Sequence, residues 1–148
     1  MPAERGGHQG GRREDRPSVA VQKIEQTLKD LPEGRLAKYP AKALVEHANA
    51  LANELRGDLK SAQIRKLYGT VKILEMEFQK TGEDLKQEEL DKIILLRPKL
   101  AYAANKKSEV RPLQQVLDAC IQKVEKKEDF ARFVDFFEAI LAYHRDRN

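Results

Sequence analysis

The sequence has no tryptophan, a single cysteine (Cys120) and no long apolar run. One cysteine excludes an internal disulfide framework and zinc sites built on paired thiolates. No stretch approaches the roughly 18 apolar residues of a membrane span. The N-terminus carries no apolar segment behind its charges, so a secretory signal is not expected. Sustained period-two alternation and two-residue hairpin signals are missing, which argues against a sheet. No repeat of about 20–50 residues occurs. Also missing are a glycine-rich phosphate loop, a nucleophile elbow and a zincin helix motif. The histidines, His8, His47 and His144, have no second His or Cys at ligand spacing. Cys120 lies on an apolar stripe and reads as a buried, inert thiol. No enzyme activity, metal, cofactor or small-molecule substrate is expected from these residues.

What the sequence does have is charge in helical patterns. Its 148 residues suit one domain. Charged residues make up 35% and the net charge is +4. Residues 1–17 hold four of the eight glycines and four arginines, with no large apolar residue after Met1. Such a segment is expected to be disordered, either a plain solvated tail or an Arg/Gly tail of the kind that touches RNA. From Ser18 to the end the pattern predicts an all-α domain, a compact bundle of five or six helices over 18–148.

Val21, Ile24, Leu28 and Leu31 mark the first helix, which Pro32 and Gly34 end. Pro40 opens the second, with Ala43, Leu44, Ala48, Leu51 and Leu55 on one stripe that Gly57 stops. The third, capped by Ser61 and running to about Lys80, carries Ile64, Leu67, Tyr68, Val71, Leu74 and Phe78. Gly82 is a stop signal, and acidic residues then suit the positive end of the fourth helix. There Leu90, Ile93, Ile94 and Leu96 continue the helix, and Pro98 predicts a break near Leu96–Arg97. Pro112 starts another helix, with Leu113, Val116, Leu117, Cys120, Ile121 and Val124 inward. Asp129 is expected to cap the last helix, whose face of Phe130, Phe133, Val134, Phe137, Ile140 and Leu141 is widened by Phe136 and Tyr143. A helix apolar this far round belongs at the centre of its bundle.

The positive charge is clustered. Residues 97–111 carry five basic side chains, Arg97, Lys99, Lys106, Lys107 and Arg111, against one acidic, and Tyr102 lies among them. Lys60, Arg65, Lys66 and Lys72 form a second group, in which Arg65 and Lys72 share a helix face. Basic side chains along a groove neutralise phosphates and release counterions, and an aromatic beside them can stack a base. The same charges also read as ordinary solvated surface. Tyr102, by composition alone, reads as a core residue.

Three strings together resemble one family: Ser61-Ala62-Gln63-Ile64-Arg65-Lys66, Leu96-Arg97-Pro98-Lys99-Leu100-Ala101-Tyr102-Ala103-Ala104, and Phe136-Phe137-Glu138-Ala139-Ile140-Leu141-Ala142-Tyr143-His144-Arg145. Their order and spacing resemble the small subunit of the type III-A CRISPR effector, the Csm complex, over roughly residues 35–148. The resemblance implies a non-catalytic, cytoplasmic helical subunit that stacks in several copies along the guide-RNA backbone. It implies sequence-independent phosphate contacts that hold target RNA. The implied partners are guide RNA and target RNA, the backbone and large subunits, and further copies of the chain, with no membrane. Carried over by position, Gln63, Arg65 and Lys66 match one basic helix start, and Arg97, Lys99 and Tyr102 the other motif. Asn105 and Lys106 stand where the family often has Gly-Arg, and Lys107 follows them. Lys106 keeps the charge without the bidentate geometry of arginine. Arg65, Arg97, Lys99 and Lys106 are expected to face one groove.

Two other readings stand beside this one. The chain would be a helical protein–protein adaptor with no RNA contact of its own, its charges serving solvation. Alternatively it would be a metal-independent ribonuclease using His144 or His47.

Overall fold

A computed structural model describes residues 18–55, 62–106 and 110–144. The expected tail at 1–17, Gly57, the Ser61 cap and Lys107 lie outside these residues. Among the described residues there is no strand, and the predicted all-α architecture holds.

Among the described residues seven α-helical segments follow in order: α1 (Val19–Lys29), α2 (Ala41–Glu54), α3 (Ala62–Gln79), α4 (Gln87–Ile94), α5 (Leu96–Lys106), α6 (Arg111–Ile121) and α7 (Lys127–Tyr143). Only Leu95 separates α4 from α5. Counted as one kinked helix, the pair brings the described helices to six, within the five or six expected. The break falls at Leu95, before the expected Leu96–Arg97. Its position puts Pro98 in the first turn of α5, where the backbone N–H groups have no intrahelical acceptor and the missing proline donor costs nothing. Ser18 caps α1, its Oγ accepting from Val21 N at 2.9 Å and donating to Glu54 at the end of α2. Glu89, in the first turn of α4, accepts from Lys86 N at 2.8 Å, so the acidic residues here satisfy a free helix-start donor.

Between α1 and α2 the chain makes two single 3₁₀ turns, at Pro32–Gly34 and Leu36–Lys38. Glu33 and Gly34 both take left-handed φ, 59° and 64°. Glycine accepts this freely, whereas Glu33 holds it against its own Cβ. The reversal delivers Leu36 and Tyr39 wholly into the core.

The core is organised by α7. It buries Phe130, Phe133, Val134, Phe136, Phe137 and Ile140 and packs against α2, α3, α6 and the 36–38 turn. Tyr39 meets Phe136 edge-on at 5.2 Å, Tyr68 meets Phe137 at 5.3 Å and Phe78 meets Phe130 at 5.3 Å. Such edge-to-face pairs add to simple area burial. The last helix is therefore central, as its sequence predicts. α1 closes the far side against α2 and α6, while α5 lies on α6 and α3. α4 is attached chiefly through α5 and buries one residue, Ile93.

Two side-chain expectations are corrected. Tyr143 is exposed at the last residue of α7, where the stripe has run past its partner. Val124, beyond the end of α6 at Ile121, is partly buried and packs against the core as expected. Asp129 is not the N-cap of α7; Lys126 holds that position, and Asp129 lies three residues inside. Its buried carboxylate accepts from Lys126 N and Glu125 N at 2.9 Å each, from Ala37 N at 2.7 Å and from Arg35 Nε at 3.3 Å. Burial alone would raise this carboxyl. The N–H groups of Ala37, Glu125 and Lys126 and the Arg35 guanidinium outweigh it and hold the group below the usual carboxylate range.

Candidate nucleic-acid interface

On α3, Gln63, Lys66, Leu67 and Thr70 recur at spacings of three and four, which puts them on one face of the helix. On α5, Lys99, Tyr102 and Ala103 do the same, with Pro98 beside them. These two faces meet across an open groove of about 630 Å³, lined by Ala62, Gln63, Lys66, Leu67, Thr70, Pro98, Lys99, Tyr102 and Ala103. Leu67 and Ala103 are buried and form its floor, while Gln63, Lys66, Lys99 and Tyr102 are exposed on its walls. Among the described residues no acidic one lines it. Among the described residues no carboxylate pairs with Lys66 or Lys99. Two lysines, an amide, two hydroxyls and an aromatic ring therefore converge on one concave, positive surface.

The structure brings together Gln63, Lys66, Lys99 and Tyr102 of the residues singled out from sequence. The Tyr102 side chain is 59% exposed, which overturns the core reading. The buried stripe of α5 is Leu96, Leu100, Ala103 and Ala104, and Tyr102 lies about 200° round from Leu100. Lys106 is the last residue of α5.

Arg65 and Arg97 do not line the groove. Arg65 is exposed in register with Tyr68 and Lys72, the flank of α3 that turns to α7. There Tyr68 packs on Phe137, and Lys72 lies 3.3 Å from Glu75 and 4.0 Å from Glu138. Arg97 grips Asp118 of α6 with two hydrogen bonds, Nε–Oδ1 at 2.6 Å and Nη2–Oδ2 at 3.2 Å. That bidentate fork raises the guanidinium pKa further and fixes α5 to α6. The expectation of four basic residues in one groove thus holds only for Lys99 among the three whose side chains are described. Thr70 is not among the residues that the sequence singles out, and Pro98 is named there as a helix breaker rather than as a lining residue. The register running from Gln63 through Lys66 would have found Thr70.

Among the described residues His47, His144 and Cys120 are occupied in packing. His47 Nδ1 is 2.6 Å from the buried Tyr39 hydroxyl. Burial, then the nearby Lys23, holds His47 below its ordinary pKa. His144 is buried, its Nδ1 3.2 Å from the Ala52 carbonyl. Burial pushes the Cys120 thiol pKa far up, which suits the inert reading. The two histidines occupy separate places, neither in the groove. Among the described residues no group of three potential ligands could hold a metal, and no helix is long and apolar enough to cross a membrane.

A family model described as Csm2 Type III-A matches residues 38–148, a span that takes in α2 to α7 and the whole groove. No curated protein and no solved structure matches the chain.

Proposed function

The chain belongs to the Csm2 Type III-A family and is a small subunit of the type III-A effector complex, and from that premise we propose that it is a non-catalytic, cytoplasmic RNA-holding subunit whose α3–α5 groove takes the phosphate backbone. Several copies stack along the guide-RNA backbone, each adding a few contacts to guide and target RNA. The observation that carries this reading is the groove with Lys66 and Lys99 on facing helices and no acid among its described lining residues. An effector that accepts any target must hold RNA by charge and shape, leaving sequence to base pairing. Lysines on two packed helices supply that kind of contact, and weak contacts add up when copies share one strand. Ile73, Met76 and Leu95, apolar and exposed beside the groove-forming helices, offer surface for the neighbouring subunits of such an assembly.

The test is made in the assembled complex with Lys66 and Lys99 both replaced by alanine. Each lost phosphate contact is expected to reduce the slope of log affinity against log salt by about 0.7 for a single strand. The weakening should be similar for unrelated target sequences. Arg97→Ala should leave that slope near the wild-type value, because its guanidinium is committed to Asp118. If the double variant assembles normally and keeps the wild-type slope, the adaptor reading stands instead.

A further inference from the structure

The groove contains more than phosphate binding requires. A duplex offers a protein its phosphates, its sugars and the edges of its bases, but its base faces are covered by stacking. Two lysines and an amide would serve that surface. Tyr102 would not: its ring is a flat apolar face, exposed among cations rather than folded into the Leu96–Leu100–Ala103–Ala104 stripe of the same helix. Pro98 and Leu67 extend the apolar lining beside it. An aromatic platform flanked by basic side chains is the usual means of holding an unstacked nucleotide whatever its base, since every base has a π face. The groove volume, about 630 Å³, falls in the range of clefts that enclose one small ligand.

Resting on the RNA-holding reading above, we infer that the α3–α5 groove receives a single unstacked nucleotide, its base against the Tyr102 ring and its phosphate on Lys66 and Lys99. The groove would then favour strand positions where the base is out of the stack over continuous duplex. Gln63 and Thr70 lie on the α3 wall, within the same groove, as polar partners for the sugar and phosphate oxygens. Base identity is not read, because stacking tolerates all four bases.

The experiment is a proton NMR titration of the full chain with adenosine 5′-monophosphate and, separately, ribose 5-phosphate, each to tens of millimolar. The nucleotide is expected to shift the Tyr102 ring protons upfield and to give contacts between base and ring protons. Ribose 5-phosphate should perturb Lys66 and Lys99 and leave the ring unmoved. Tyr102→Phe should bind the nucleotide within about twofold of wild type, and Tyr102→Leu should weaken it by about five- to a hundred-fold. An unmoved ring at tens of millimolar nucleotide, or full binding by Tyr102→Leu, overturns the inference. If Lys66 and Lys99 still respond to both ligands in that case, only the stacking falls and the phosphate reading survives. If neither lysine responds to either ligand, the RNA-holding reading falls with it.

Discussion

Asp129→Ala is expected to destabilise the protein by about 3–5 kcal/mol, the range seen when one partner of a buried charged pair is removed. The carboxylate gathers three backbone N–H groups and one guanidinium, drawn from the start of α7 and from the turn before α2. Removing it leaves buried donors without acceptors, each costing about 1–3 kcal/mol less whatever water recovers. Urea unfolding measures the effect, and a loss under about 1 kcal/mol would mean that water replaces the carboxylate. The pH dependence follows from the depressed pKa. Because the folded-state value lies below the unfolded one, the unfolded chain binds the proton first as pH falls. Asp129 thus contributes fully above the ordinary carboxyl value near 3.9, and its contribution is lost as pH drops through the lower folded-state value. The stability gap between wild type and Asp129→Ala should be flat above about pH 5 and narrow in stronger acid. A gap that widens on acidification would refute this account.

Phe137→Ala should cost about 3–5 kcal/mol, as for other truncated core aromatics. Phe137 is fully buried in the central helix, edge-on to Tyr68 at 5.3 Å and near Phe133 at 6.3 Å. The substitution removes a ring from between α3 and α7, and the flanking rings cannot both collapse into the space without breaking their own pairings. Far-UV circular dichroism should stay helical while the denaturation midpoint falls. A change under about 1 kcal/mol would show that the α3–α7 contact is not central.

What could be read from the sequence divides by the range of the interaction. Phe130, Phe133, Phe137 and Ile140 recur at spacings of three and four, so the buried face of α7 is local information. Pro98 likewise announces its break to within a residue or two. The rest depended on partners far along the chain. Arg97 looked like an RNA contact because its neighbours are basic, whereas its own partner, Asp118, lies on another helix. Asp129 was legible as an acidic residue at a helix start, but not as the acceptor for Ala37, 92 positions away. Tyr102 is a different case. The register of α5 sets it off the buried stripe, whereas composition alone places it in the core. Of the groove, the two basic strings were visible in the sequence, while the packing of α3 on α5 that makes them walls of one site was not.

The single buried residue of α4 sets a limit on how much of the molecule melts as one unit. Eight residues held chiefly by Ile93 gain little from burial against the entropy of ordering them. Their opening therefore need not wait for the aromatic core. In deuterated solvent the α4 amides should exchange through local opening, while those of α7 exchange only on global unfolding. The boundary between these regimes falls at Leu95, where the helix is already interrupted. The Arg97 clamp to α6 begins two residues later, so α4 can fray while α5 keeps its wall of the groove in place.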